Sequence, residues 1–248
     1  MIVGIDFDNT LISYDTVFHR VAVERGLIPA TIPPTKTAVR DWLRAVGQEP
    51  AWTQLQGSVY GQAIVMAEPF PGVHSFLDTC RRLGITIRII SHKTRLPFVG
   101  PPLDLHAAAR DWLQTRLLPN VVIESGDAKE IPELAGHGRV TATPGKVKQG
   151  MNATSTPPAH AATINPCSIR VFFEETLSGK LERIRGEGCE WFIDDLPELL
   201  DEPDFPRQTN RILFDPHQRY PDRTDRYRFD SWAAIETFLT KQVGSFDD

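Results

Sequence analysis

The sequence predicts an α/β protein: a doubly wound, mostly parallel sheet with helices on both faces and a small all-helical insertion. Three observations predict it. Short, β-branched apolar runs alternate with segments of helical period, the pattern of parallel strands joined by crossover helices. Several of these runs end in acidic or hydroxyl residues, as strands do where an open α/β sheet keeps its ligand crevice. The stretch 14–67, just after the first run, has helical period and no convincing strand.

The first run, Ile2-Val3-Gly4-Ile5, reads as a buried strand and ends in Asp6 and Asp8. Within residues 14–67, Val17, Phe18, Val21 and Ala22 form one apolar face, and Val39, Trp42, Leu43 and Val46 form a second. A third helical segment is expected to be interrupted at Gly57 and Gly61. The sheet resumes after a helix whose stripe is Val73, Phe76, Leu77 and Cys80, opened by Pro71 and stopped by Gly84. Residues 85–91 read as the second strand and 103–118 as the next helix. "NVVIES" is a candidate strand, and 169–175, 190–194 and 211–215 read as three more. A helix over "SWAAIETFL" closes the pattern. Residues 126–167, rich in Thr, Ala, Pro and Gly and without apolar period, are expected to be a flexible insert.

The chain has 248 residues, enough for one α/β core and a modest extra lobe. Its net charge of -5 argues against a nucleic-acid-binding surface, without bearing on small anionic substrates. The three cysteines form no disulfide framework, which favours a reducing compartment. No signal-peptide pattern opens the sequence and no run approaches membrane-spanning length, so a cytoplasmic address is expected.

Asp6 and Asp8 ask for an explanation. A carboxylate buried without a partner costs several kcal/mol, roughly, so a strand interior is a poor place for either. Period-two alternation turns both the same way at the strand's carboxyl end, where two like charges need a cation or a shared proton. Three further strand ends carry matching chemistry. The second strand stops at Ser91, followed by His92, Lys93 and Thr94; Lys180 opens the helix after "RVFFEE"; and "WFIDD" ends in Asp194 and Asp195, with Glu198 one turn on.

In this order the residues resemble the haloacid dehalogenase superfamily of phosphohydrolases. "DFDNT" matches the family's first motif, Ser91 its second, Lys180 its third and "IDD" its fourth. The resemblance implies a Rossmann-like core over 1–13 and 68–248, with 14–67 as a small helical C1-type cap. It also implies an aspartyl-phosphate mechanism: Asp6 as nucleophile, Asp8 as general acid and then base. Ser91 and Lys180 would hold the phosphoryl oxygens. Mg²⁺ would take the carboxylates of Asp6 and Asp195 and the backbone carbonyl of Asp8, with Asp194 and Glu198 orienting water or Lys180. Asp8 favours phosphate esters, because the family's dehalogenases lack that second aspartate.

The implied function is Mg²⁺-dependent hydrolysis of a small phosphorylated metabolite such as a sugar or nucleotide phosphate. A phosphotransferase, a polynucleotide end phosphatase and a non-catalytic binding or regulatory relative are the alternatives. His92, Lys93 and Arg95 either bind a second anionic group of the substrate or form a solvated loop. Tyr14, Trp52 and Tyr60 either wall the substrate or serve as core. "FDPHQRYPDRTDRYR" reads as a solvated loop, and His106 and His217 lack the spacing of a zinc site. The sequence specifies no oligomeric state and no membrane or nucleic-acid partner.

Overall fold

A computed structural model describes residues 1–119, 123–125 and 169–244 of the chain. The strands are β1 (Ile2–Ile5), β2 (Ile12–Ser13), β3 (Glu68–Pro69), β4 (Thr86–His92), β5 (Ile123–Ser125), β6 (Ile169–Glu174), β7 (Trp191–Asp194), β8 (Asn210–Phe214) and β9 (Tyr227–Phe229). The helices are α1 (Asp15–Glu24), α2 (Lys36–Ala45), α3 (Glu49–Tyr60), α4 (Val73–Arg82), α5 (Leu105–Trp112), α6 (Leu177–Gly186), α7 (Pro197–Leu200) and α8 (Trp232–Gly244). Gln62–Met66 is a 3₁₀ turn, and Leu113–Leu117 prolongs α5 as a π turn.

Among the described residues seven strands form one sheet in the order β5-β6-β4-β1-β7-β8-β9, and every pairing in it is parallel. The chain builds outward from β1 through β4, then returns across it to β7. The carboxyl ends of β1, β4 and β7 therefore meet at the reversal of strand order, where such sheets bind ligands.

Alternation along the strands explains the two-layer packing. Val3, Ile5, Ile87, Ile89, Ile193 and Ile212 face the apolar layer that holds Phe76, Trp112 and Trp232. Ile90, Phe172, Phe192 and Leu213 face the other, against Leu181, Ile184, Leu199 and Leu200. At Gly4 a Cβ would lie 2.5 Å from the Phe192 ring and 2.8 Å from Cys189 Sγ, so the close approach of β1 and β7 requires glycine.

Helices α1–α3 pack on one another as a small helical lobe around Phe18, Val39, Leu43, Trp52 and Leu55, continuous with the apolar layer of the sheet, with the Phe18 and Trp52 rings stacked at 5.0 Å. Two chain crossings join it to the sheet, and they pair antiparallel as the β2–β3 ribbon, Ile12 against Pro69 and Ser13 against Glu68. Strands of two residues leave no periodic trace in sequence, so this ribbon was not legible.

Two expectations are corrected. Helix α3 runs through Gly57 and stops only at Gly61; Gly57 fits because its face lies against Pro97 and the Val99 carbonyl. The charged stretch read as a solvated loop ends in β9, which pairs with β8, and the rings of Tyr227 and Phe229 pack on Phe238. Its middle also touches the lobe, through His217 and Arg219. The expected insert, 126–167, lies outside the described residues. Among the described residues, no helix is long and apolar enough to cross a membrane.

Candidate active site

Past Ile5 the chain leaves the sheet with Asp6, whose amide still donates to the Ile193 carbonyl of β7 at 2.9 Å. Phe7 points into the core against Trp112 and Phe173, so the flanking Asp6 and Asp8 face the crevice. The turn closes through Asn9, at φ 60°, a left-handed conformation that asparagine tolerates better than most residues. The amides of Leu11 and Ile12 then donate back to the Phe7 carbonyl.

Ser91 Oγ donates to Asp6 Oδ1 at 2.8 Å, and Lys180 Nζ donates to the same oxygen at 2.6 Å. Lys180 is aimed by its helix start: Thr176 caps α6 by accepting from the Gly179 amide at 3.0 Å. Among the described residues no donor reaches Asp6 Oδ2. The expected grip of Ser91 and Lys180 on a phosphoryl group is thus preceded by a grip on Asp6. Ser91 has one hydroxyl proton and gives it to Asp6; Lys180 divides its protons between Asp6 and Asp194, the latter also at 2.6 Å.

Asp194 and Asp195 differ sharply. Asp194 is fully buried, with one oxygen on Lys180 and the other accepting from the Leu196 amide at 2.9 Å. Asp195 opens on the crevice, and Thr10 Oγ1 makes a long 3.4 Å contact to its Oδ1. Burial first, then the field of Asp6, raises the Asp194 pKa against the pull of Lys180. Burial and then its Asp194 and Asp6 neighbours raise that of Asp195. Lys180 is itself pushed up, since Asp194 and Asp6 outweigh its own burial. The common cause is three buried carboxylates held close together, of which two, Asp6 and Asp194, are bonded to the ammonium of Lys180.

Asp6, Asp194 and Asp195 each bring an oxygen within 4.8 Å of the others, a cluster able to hold a metal ion. All-oxygen, charge-rich donors of this kind suit a hard divalent cation. Asp195 has the freer carboxylate for that task, because both oxygens of Asp194 are engaged.

Lys93, which the sequence left open between a solvated loop and an anion site, is buried and spends its charge on Asp8. Its Nζ lies 3.0 and 2.8 Å from the two Asp8 oxygens, and Tyr14 donates its hydroxyl to Oδ1 at 2.7 Å. Arg95 pairs with Asp104 at 3.0 Å, and His92 contacts the Glu175 carbonyl. Tyr14 is buried and Trp52 is core; Tyr60 borders the crevice. Glu198 is exposed, has no bond to Lys180 and borders a side chamber instead. His106 meets the Lys93 carbonyl at 2.8 Å, and His217 meets Asp15 at 3.0 Å.

The crevice has a volume of about 350 Å³. Its sheet side is Asp6, Asp8, Ser91, Lys180 and Asp195; its lobe side is Lys36, Gln56 and Tyr60. Lys36 was missed by sequence reasoning. Burial opposes its charge, but Tyr60, Asp195 and Asp8 prevail and raise its pKa. Its only local signal is a helix start, Thr35 capping the Ala38 amide, which marks α2 without marking a site.

No protein-family model matches the chain, and no curated protein matches it. Among solved structures it is similar to a putative HAD-hydrolase, YfnB from Bacillus subtilis, bound to magnesium, at 9% identity and a TM-score of 0.44, over 96% of this chain and 97% of that one. It is also similar to a HAD-superfamily hydrolase from Ehrlichia chaffeensis, at 14% identity and a TM-score of 0.47, over 96% of this chain and 95% of that one.

Proposed function

We propose that the chain is a divalent-cation-dependent phosphomonoesterase that hydrolyses a small phosphorylated metabolite through a phosphorylated Asp6. The observation that carries this reading is the asymmetric carboxylate of Asp6. One oxygen is fixed by Ser91 and Lys180, and the other has no donor among the described residues, on the crevice floor shared with Asp8. A nucleophile needs this combination of a locked rotamer and an unengaged lone pair.

In the first step Asp6 Oδ2 bonds to phosphorus as the ester oxygen leaves with the electrons of the broken P–O bond. A proton carried by Asp8 goes to that oxygen. In the second step Asp8, now a carboxylate, takes a proton from water, whose oxygen displaces Asp6 and releases inorganic phosphate. The Lys93 and Tyr14 donors hold the Asp8 carboxyl in one orientation toward the crevice. Lys180 has one proton left for a phosphoryl oxygen, and Ser91 can offer its own only by turning from Asp6. Magnesium, the ion proposed here, would be held by Asp6, Asp195 and the Asp8 carbonyl and would supply charge stabilisation to the phosphoryl oxygens.

The volume of the crevice suits a small metabolite and speaks against a polynucleotide end. A purely binding relative has no use for the Asp8 arrangement. The test is phosphate release from para-nitrophenyl phosphate, with Mg²⁺ and with chelator, by the parent chain and by Asp6→Asn. Mg²⁺-dependent release that falls by orders of magnitude in a folded Asp6→Asn protein is expected. An active Asp6→Asn protein would rule out the covalent route. Transfer of the phosphoryl group to an added alcohol in preference to water would identify a phosphotransferase.

A further inference from the structure

We infer that the leaving group of the substrate carries a second anionic group and that Lys36 is the residue that reads it. This rests on the phosphomonoesterase reading and names the substrate class for the same site. Among the described residues three lysines reach the crevice, and two are committed. Lys180 is divided between Asp6 and Asp194, and Lys93 covers both oxygens of Asp8. Lys36 has no carboxylate at ion-pair distance among the described residues. Its ammonium lies 5.7 Å from the centroid of the Tyr60 ring and 6.0 Å from that of Phe18.

Lys36 is also held in place. It is the first residue of α2; its amide donates to Asp15 Oδ1 at 2.8 Å, and Thr35 caps the helix. A cation on a pinned helix start loses less freedom on binding than one on a loop. The position is directional as well. The chemistry of phosphoryl transfer lies on the sheet side of the crevice, so whatever is attached to the phosphate meets Lys36, Gln56 and Tyr60. Among the described residues that side offers a cation, an amide and a phenol, and no carboxylate.

Behind Lys36 lies a side chamber of about 170 Å³ that shares Lys36, Asn9, Asp195 and Leu196 with the crevice. Arg40, one helical turn on, and Arg219, bonded to Thr37 Oγ1 at 3.1 Å, border it. Its acidic residues are Asp15, already bonded to His217 and to the Lys36 amide, Glu198 and Asp195. An anionic tail extending past Lys36 finds room there. An ammonium-bearing leaving group would meet Lys36 with like charge.

The test compares esters that share a phosphate and differ at the other end: 3-phosphoglycerate (carboxylate), glycerol 3-phosphate (neutral) and O-phosphoethanolamine (ammonium). Glucose 1,6-bisphosphate against glucose 6-phosphate tests a second phosphate as the anion. Phosphate release by the full chain gives kcat/KM, and titration calorimetry on Asp6→Asn gives affinity without turnover. One charge-assisted hydrogen bond corresponds to roughly a tenfold preference. We expect the carboxylate or bisphosphate ester to exceed its neutral counterpart by about tenfold, mainly through KM, with the ammonium ester last. Lys36→Gln should bring the ratio near one, and Lys36→Glu should invert it. Ratios within one protein are insensitive to losses in folding yield. Equal handling of all three glycerol-sized esters, a neutral ester ahead, or a ratio unchanged in Lys36→Gln overturns the inference. If no ester is hydrolysed, the phosphatase reading fails, and the calorimetric ratio alone decides for or against Lys36.

Discussion

The ammonium of Lys93 bridges both carboxylate oxygens of Asp8, at 3.0 and 2.8 Å. The pair sits at the junction of β4 with the turn after β1, with the lysine side chain almost wholly enclosed. A bidentate grip fixes the plane of the carboxylate, and the Tyr14 hydroxyl adds a third bond from the lobe. Lys93 is therefore a positioning residue for the proposed acid-base group.

Lys93→Met should lower kcat by about 10²-fold, toward the lower end of what a misplaced acid-base group costs. KM should change less. Losing one partner of a largely buried pair also costs stability, about 3 kcal/mol or more, so melting should be recorded alongside. Tyr14→Phe removes one of the three bonds and should give a smaller fall with the same kcat-dominated signature. An effect of Lys93→Met confined to KM would assign Lys93 to substrate binding instead.

Mg²⁺ should stabilise the folded chain. A ligand that binds only the native state at a hundredfold excess over its Kd adds about 2.7 kcal/mol. Asp195→Asn should abolish most of this rise in melting temperature, because Asp195 has the freer carboxylate at the cluster. Asp194→Asn should retain more of it and act instead through Lys180, whose anchor it weakens. The reverse ranking in a Mg²⁺ titration of melting temperature would assign the metal to Asp194.

Buried His106 gives a pH dependence of known sign. Burial lowers its pKa from the ordinary 6.5, against the pull of the Lys93 carbonyl. The unfolded chain then binds the proton more readily than the folded one, so this contribution is complete above 6.5 and declines as pH falls toward the folded value. Asp194, whose folded pKa is raised to about 7, acts in the opposite sense over the acid range. The clean measurement is therefore a difference: denaturant unfolding of the parent and of His106→Gln at pH 7.5 and 5.5. The parent should lose more stability on acidification than the variant. Equal losses would show that His106 takes up its proton in the folded state without cost.

The sheet and its acidic end were legible because both follow from short-range patterns. Apolar runs ending abruptly at Asp6, Ser91 and Asp194 report where strands meet the crevice, and the mostly parallel sheet follows from the helices between them. The β2–β3 ribbon was too short to leave a period, and β9 was hidden among charges that pair with one another. The role of Lys93 had a faint signal. It stands two residues beyond Ser91, on the same side of an extended chain, and its amide continues the ladder to the Glu174 carbonyl. Lys36 had none beyond its helix start. It enters the crevice because the whole lobe folds over the sheet, and long-range packing of that kind leaves no local pattern.

Asp8 should matter in proportion to how badly the leaving group needs a proton. A sugar alkoxide is a poor leaving group and requires protonation as its bond to phosphorus breaks, whereas para-nitrophenolate leaves without it. Asp8→Asn should therefore lose more activity on alkyl phosphates than on para-nitrophenyl phosphate, by roughly the 10²–10⁴ of a lost general acid. Steady-state rates alone do not isolate this, since Asp8 also activates water in the second step and its loss slows both substrates there. The pre-steady-state burst does isolate it, because the first turnover reports transfer to Asp6 alone. Burst rates that fall together for the two substrates, while turnover after the burst still slows, would show that Asp8 is not the leaving-group acid. That outcome would leave Asp8 as a base and move the donor for the leaving oxygen to Lys93, whose ammonium touches Asp8. The double variant Asp8→Asn with Lys93→Met would then cost the alkyl burst far more than either change alone.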